Sequence, residues 1–189
     1  LAEFEDVDLK NKIVVGVPST GKSSAIGFAD KLKLPLLDGL IKNPQSSRTF
    51  ILGSDAERNK AAVEKYLINT DIIENQDIFL IDDSMVRGIT MKNIIKKLKE
   101  YGAKSIHLRI SSPEIKGICY YGVDIPSKEE LIANKLTLDM IEKELNVDSL
   151  KYLSLEDMLS VFPENVRENF CSGCIDGNYN YNAEIEDLF

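Results

Sequence analysis

Two adjacent carboxylates, Asp82 and Asp83, are followed at once by Ser84, Arg87, Gly88 and Thr90. Hydroxyls, an arginine and a glycine whose backbone turns freely are the groups that cradle a phosphate. The carboxylates cannot hold that same phosphate. They suit sugar hydroxyls, or a divalent cation that carries a second phosphate group. A ligand with a diol between a monophosphate and a metal-bound pyrophosphate satisfies both halves, and phosphoribosyl pyrophosphate is one such ligand.

These residues need a strand to deliver the acids and a helix to present its N-terminus. Residues 78–81 (IFLI) read as a short buried strand. A helix opens at about Ile89, with Ile94, Ile95, Leu98 and Tyr101 on one apolar stripe and Gly102 as its stop. Backbone N–H groups at the positive end of such a helix bind anions. Upstream, residues 12–17 (KIVVGV) form a strand that runs into Pro18-Ser19-Thr20-Gly21. The helix after it carries Ala25, Ile26, Ala29 and Leu32 on one face and ends by Pro35. Residues 36–41 suggest a second short strand, residues 49–52 a weaker one, and Asp55 a cap for a helix through Leu67. In residues 105–110, Ile106, Leu108 and Ile110 face one way and His107 and Arg109 the other.

Strands alternating with helices predict an α/β fold, a parallel sheet with helices on both faces. Ligands of such sheets bind at the carboxyl ends of strands, where residues 18–21 and 82–90 fall. Beyond Pro113 the pattern shortens. Ser127 with Glu130 reads as a capping box, Thr137 caps a following helix, and Ser154 with Asp157 offers another cap. We divide the chain into a core over residues 1–135 and a C-terminal helical region with a cysteine-bearing tail over residues 136–189.

The 189 residues suffice for one domain and are 43% hydrophobic and 29% charged, an ordinary globular composition. A net charge of −8 argues against nucleic-acid binding, which needs basic surface, yet leaves a small anionic ligand open. No apolar run approaches the roughly 20 residues of a membrane span, and no signal peptide is visible, so a cytoplasmic location without membrane partners is expected. The chain begins with Leu1, and residues 1–8 read as the tail of something earlier, so a piece of a longer product is expected. Cys119 and the Cys171-Ser-Gly-Cys174 pair suggest metal or cluster ligation more than a disulfide framework.

A competing pattern lies upstream. Gly16, Gly21, Lys22 and Ser23 satisfy G-x-x-x-x-G-K-S after a strand and before a helix, the context of a P-loop nucleoside triphosphatase. Residues 79–83 would supply its magnesium-holding acid. That reading leaves residues 84–90 without a role and ignores Lys42-Asn43, Arg48-Thr49 and the cysteines. We take the match as a coincidence that ATP hydrolysis and Lys22→Ala would test.

The stretch IDDSMVRGIT resembles the phosphoribosyl pyrophosphate loop of type I phosphoribosyltransferases. The whole chain resembles the phosphoribosyltransferase portion of the glutamine amidophosphoribosyltransferase family, through VVGVPSTG, AIGFA, GLIKN, RTFI, GAKSIHLRISSPEI, CYYGVDIPSKEELIA, DSLKYLSLED and FCSGCIDGNY in the family's order. Two departures stand out: Ile89 replaces the first threonine of the usual VRGTT, and residues 44–47 replace an aromatic-containing segment. The family's glutaminase domain, whose N-terminal cysteine releases ammonia from glutamine, is absent from the sequence.

The resemblance implies a type I phosphoribosyltransferase fold and the displacement of pyrophosphate from phosphoribosyl pyrophosphate by ammonia, giving phosphoribosylamine in purine synthesis. It implies that Asp82 and Asp83 contact the ribose hydroxyls and help hold magnesium, with Thr20 nearby. Residues Ser84, Met85, Val86, Arg87, Gly88, Ile89 and Thr90 would hold the 5′-phosphate, and Ser19 the substrate's other end beside Gly21. Lys42, Arg48 and Thr49 fall in the family's flexible loop, which closes over substrate. Cys119, Cys171 and Cys174 match three ligands of an iron–sulfur cluster whose fourth ligand lies upstream. A glutaminase domain or subunit and a homo-oligomer are the implied partners. A zinc site, or a Cys pair with an unrelated Cys119, remains the alternative for the thiols; a non-catalytic nucleotide sensor remains one for the fold. His107 reads as structural.

Overall fold

The computed structural model describes residues 1–44, 65–123, 125, 127–167 and 169–179. Its core is a parallel sheet of β1 (Lys12–Gly16), β4 (Asp77–Asp82), β5 (Ser105–Ile110) and β6 (Ser149–Tyr152), in that spatial order. β2 (Leu40–Lys42) and β3 (Tyr66–Ile68) form a separate antiparallel ribbon. Successive strand residues point to opposite faces, and here both faces are covered, which is why β1 and β4 read as nearly unbroken apolar runs.

On one face Val14, Phe79 and Ile81 pack under α1 (Lys22–Leu32) through Ala25, Phe28 and Ala29. On the other, Ile13, Val15, Ile78, Leu80, Ile106, Leu108 and Ile110 pack under α3 (Ile89–Glu100) and α5 (Leu138–Leu145). Between them in sequence, α2 (Thr70–Ile73) adds Ile73 to that second cluster, and α4 (Ile132–Lys135) adds Ile132. α6 (Leu155–Ser160), α7 (Glu164–Arg167) and α8 (Gly173–Asp176) follow β6. No helix among the described residues is long and apolar enough to cross a membrane.

Arg109 and His107 lie opposite the isoleucine face of β5, as their alternation requires. Arg109 is fully buried and donates from Nε and an Nη to the two oxygens of Glu5, at 2.7 and 2.8 Å. Burial alone would raise the Glu5 carboxyl, but the hydrogen bonds and charge of Arg109 hold it below the usual carboxylate range. The pairing offsets the desolvation of two charges, which would otherwise cost several kcal/mol. Phe79 stacks against both the guanidinium and the His107 ring, each at 5.4 Å. His107 Nδ1 shares a 2.8 Å hydrogen bond with Ser149 Oγ, so the histidine is a packed core residue.

Several local expectations shift. Residues 36–41 divide into a single bridge, Leu36 to Val14, and the ribbon strand β2. Leu67 lies in β3, so no helix runs through it. Ile26 is exposed and Phe28 buried, because Ala25, Phe28, Ala29 and Leu32 share one face at helical spacing and Ile26 stands a third of a turn away. Likewise Met91, Ile94, Ile95 and Leu98 form the buried stripe of α3, while Tyr101 caps the helix and is exposed. Gly102 stops it with φ of 85°. Ser127 makes no capping hydrogen bond and precedes only a single 3₁₀ turn, Lys128–Glu130. Thr137 occupies the N-cap of α5 without a side-chain bond, whereas Ser154 accepts from Asp157 N at 3.0 Å. β6 and α5 lie beyond the boundary drawn at residue 135 and complete the same sheet and core.

Candidate functional site

β1 and β4 are neighbours, yet the helices that follow them leave for opposite faces of the sheet. Such a switch point opens a crevice at the carboxyl ends of the two strands. Both helices begin there without a side-chain cap. In α3 the first helical bond runs from Lys92 N to Gly88 O at 2.8 Å, so the amides of Ile89, Thr90 and Met91 precede it. The crevice therefore has two positive helix ends with an acid pair between them.

Asp82 ends β4 and is buried; Asp83 is exposed. One oxygen of Asp82 accepts from Thr20 Oγ1 at 2.6 Å and from Asp83 N at 2.9 Å. Burial pushes the Asp82 carboxyl up to about 6, against the lowering pull of these two hydrogen bonds, and the charge of Asp83 adds to the rise. Asp83 in turn accepts from Ser84 N at 2.7 Å. The strand end is secured from β5: Ser111 donates from its backbone N and its Oγ to Asp82 O, at 2.9 and 3.1 Å.

The loop after β1 lies flat on β4. Val17 N donates to Ile81 O at 2.9 Å, and a Cβ on Gly21 would sit 2.1 Å from that same oxygen. Ser19 adopts a left-handed backbone, φ of 71°, which turns the chain toward Thr20 and its bond to Asp82. The Gly21 amide is spent on Val17 O at 3.0 Å, and Lys22 pairs with Asp38 at 3.1 Å on the surface. A P-loop needs its amides and lysine turned to a triphosphate, so this geometry does not support the G-x-x-x-x-G-K-S reading.

The loop after β4 is built otherwise. Met85 is buried in the core, Gly88 is buried with φ of 76°, Ser84, Val86 and Arg87 are half-buried, and Ile89 and Thr90 are exposed. Arg87 Nε donates to Glu130 at 2.5 Å. Lys42 is exposed on the ribbon, opposite Tyr66. Arg48 and Thr49 lie outside the described residues.

Sequence reasoning missed Tyr66. Its ring is buried in the core, and its hydroxyl is pushed up to about 12 by burial and by the charges of Asp82 and Asp83. The ribbon thus brings a phenol into the field of the acid pair. No local pattern marks it: the sequence suggests a helix through Leu67, and a tyrosine there reads as core. Glu130, Ser111 and Ser24, whose Oγ lies 2.7 Å from that of Ser111, were equally silent.

The cysteines come from two separate stretches, Cys119 on one and Cys171 with Cys174 on the other. Cys174 O accepts from Lys116 N and Gly117 N, both at 2.9 Å, which docks α8 beside the segment leading to Cys119. Burial raises the Cys174 thiol, and the nearby Cys119 and Cys171 add to the rise. All three are free thiols, and the described residues contain no group of three side chains placed to share a metal ion.

The sequence profile of the family "Phosphoribosyl transferase domain" matches residues 2–117, well over half the chain. The chain belongs to this phosphoribosyltransferase family. It is 41% identical over 179 residues to the amidophosphoribosyltransferase of Synechocystis, covering 95% of this chain and 36% of that protein. It is 39% identical over 188 residues to that of Methanocaldococcus jannaschii, covering 100% and 39%. Among solved structures it is similar to the glutamine phosphoribosylpyrophosphate amidotransferase from B. subtilis complexed with ADP and GMP, with a TM-score of 0.80, 35% identity, and 96% and 41% of the two chains covered. A structure described as the allosteric regulatory enzyme of purine biosynthesis matches at the same TM-score, with 36% identity and coverage of 96% and 40%. The chain thus spans well under half the length of these family members. The parallel sheet with helices on both faces is the phosphoribosyltransferase arrangement expected from sequence.

Proposed function

We propose that the chain is the transferase portion of an amidophosphoribosyltransferase: ammonia displaces pyrophosphate from phosphoribosyl pyrophosphate and phosphoribosylamine forms, the first committed step of purine synthesis. The carrying observation is the acid pair set between two uncapped helix ends at the switch point. That layout matches a diol flanked by a phosphate and a pyrophosphate. Similarity along 95% of the chain to the Synechocystis amidophosphoribosyltransferase supports ammonia as the nucleophile. Glutamine would supply the ammonia through a glutaminase domain or subunit, in a cytoplasmic homo-oligomer.

In this reading the amides at the start of α3, with Ser84, Arg87 and Thr90, hold the 5′-phosphate. Residues Ser19 to Gly21 and the backbone amides at the start of α1, not the Lys22 side chain, face the pyrophosphate. Asp82 and Asp83 bind the ribose hydroxyls and favour the positive charge that grows on the sugar as pyrophosphate departs. Thr20 fixes the Asp82 carboxylate by its 2.6 Å hydrogen bond, and the Tyr66 hydroxyl on the ribbon stays protonated in the field of the acid pair. Lys42, and by the resemblance Arg48 and Thr49, would shield the anomeric carbon from water.

Magnesium fits the site. Asp82, Asp83 and Thr20 offer hard oxygen donors, with Thr20 Oγ1 2.6 Å from an Asp82 oxygen, and burial beside a second acid raises the Asp82 carboxyl to about 6, a charge that a divalent cation would offset. When bound, the ion would neutralise charge on the departing pyrophosphate. Cys119, Cys171 and Cys174 are proposed, from the family resemblance, as iron–sulfur ligands. As placed they do not form a ligand set, and nothing in the reaction is routed through them. Iron and sulfide analysis of anaerobically purified protein tests that assignment.

The test of the reaction is magnesium- and ammonia-dependent release of pyrophosphate. Asp83→Asn, at an exposed residue, should lower the rate on the order of 100-fold while thermal stability holds. An unchanged rate refutes the role of Asp83. Binding of phosphoribosyl pyrophosphate without any release points instead to a nucleotide sensor.

A further inference from the structure

The loop from β4 to α3 is not left to shape itself. We propose that the segment from Glu130 to Ile132 is a clasp that pre-forms this loop for the sugar 5′-phosphate, with Glu130 acting as a positioning residue for Arg87. The proposal rests on the reading of this loop as a phosphate site and adds to it a part that touches no substrate.

Three contacts carry it. Ile132 N donates to Val86 O at 3.0 Å, which fixes the middle of the loop. The Ile132 side chain closes over the turn: a Cβ on Gly88 would lie 2.7 Å from Ile132 Cδ1 and 3.8 Å from Met85 Sδ. Glu130 accepts from Arg87 at Nε, the atom nearest the chain, at 2.5 Å. Held by that atom, a guanidinium keeps its outward edge of two NH₂ groups for another acceptor, the fork that suits a phosphate. The clasp is itself anchored. Leu131 and Ile132 are buried, and Asn134 Nδ2 donates to Lys116 O and Lys128 O at 2.9 and 3.0 Å.

Magnitudes separate orientation from stability. Arg87 and Glu130 keep 35% and 47% of their side-chain surface exposed, and such pairs contribute little to folding. Their use lies in holding one rotamer of a long side chain, which otherwise must be ordered at the moment of binding.

The test titrates phosphoribosyl pyrophosphate with magnesium into the wild type, Glu130→Ala, Glu130→Gln, Arg87→Ala and the double variant. Glu129→Ala serves as control. We expect Glu130→Ala to weaken binding about 3- to 10-fold, the range expected for ordering one long side chain on binding. Glu130→Gln, which keeps an acceptor, should recover most of the loss. The double variant should bind no worse than Arg87→Ala, since Glu130 acts through Arg87. Magnesium pyrophosphate, which lacks the 5′-phosphate, should bind wild type and Glu130→Ala alike, and melting temperatures should agree. The proposal is overturned if the Glu130→Ala and Arg87→Ala losses add, if pyrophosphate binding falls equally, or if Glu130→Ala binds as wild type or fails to fold. Absence of phosphoribosyl pyrophosphate binding in the wild type overturns the functional reading first, and the clasp with it.

Discussion

The two loops that face each other across the crevice do opposite things with a glycine. The loop after β1 ends in Gly21, whose backbone is in the ordinary right-handed region, φ of −80°, so any residue could adopt its shape. Glycine stands there because nothing larger fits between the loop and the Ile81 carbonyl. The loop after β4 ends in Gly88, whose φ of 76° is itself the requirement. The first loop is soldered to the sheet, and the second stands off it and is gripped from the side by the 130–132 segment. Rigid contact with β4 suits a loop that must hold Thr20 against Asp82. A loop that offers amides to a ligand must keep them clear of the sheet.

The sharpest way to break this contrast is Gly21→Ala. A Cβ at 2.1 Å from a carbonyl oxygen in the central strand has no flexible neighbour to move, so the loop must lift from β4. Overpacking of this kind typically costs ~1–3 kcal/mol and sometimes more. We expect the largest loss of stability in the set, with activity lost as the Thr20–Asp82 bond opens. Chemical denaturation that finds Gly21→Ala as stable as wild type would show that the loop is not seated as described.

Next in size is Asp82→Asn, which probes the acid that the first loop holds. The folded-state carboxyl at about 6 lies above its ordinary value, 3.8, so the folded protein binds the proton more tightly than the unfolded chain. The ionised acid therefore opposes folding, and this burden grows as pH rises from 4 to above 6. Asparagine removes it. In the ion-free protein, the stability of Asp82→Asn relative to wild type should climb by on the order of 2 kcal/mol across that window. A difference that stays flat with pH would mean that Asp82 is already compensated within the chain. The turnover of Asp82→Asn should fall even as its stability rises.

What the sequence makes legible follows the same division. Strand β4, its acids, the turn at Gly88 and helix α3 are contiguous, and each is set by local chemistry: an apolar run, a left-handed turn, an amphipathic repeat. Their order and type could be read before any contact was seen. The Ile106, Leu108 and Ile110 face of β5 was legible for the same reason. What was not legible is non-local. Glu130 is 43 positions from Arg87, and its stretch reads as a capping box when its real partner is in another loop. Tyr66 comes under the charge of the acid pair only through the pairing of β2 with β3. β6 is not legible because its sequence, SLKY, has neither the apolar run of β1 and β4 nor the alternating isoleucine and leucine face of β5, and Leu150 alone among its residues is buried.

Gly88→Ala sharpens the contrast from the other side. Alanine in a left-handed turn costs roughly 1 kcal/mol, and its methyl would press on Ile132 Cδ1 at 2.7 Å, the tip of a side chain that can swing. The expected loss of ~1–2 kcal/mol is smaller than for Gly21→Ala. It should be partly relieved by Ile132→Val, which shortens the obstructing chain, whereas no side-chain change near Gly21 can relieve a clash with backbone. Rescue that fails in the double variant would leave Ile132 without its place over the turn.

The smallest effect belongs to Lys22→Ala. Lys22 sits where a triphosphate-binding loop would use its lysine, but its ammonium pairs with Asp38 at 3.1 Å and both side chains are more than half exposed. An exposed pair of this kind contributes from nothing to about 1 kcal/mol. Stability should therefore hardly move, and pyrophosphate release should stay within about twofold, since no step assigns Lys22 a contact with the sugar phosphate. A drop of 100-fold would mean that the lysine swings from Asp38 into the crevice when ligand arrives. The first loop would then rearrange to hold the pyrophosphate through a moving cation, and the contrast between a seated loop and an offering one would fall.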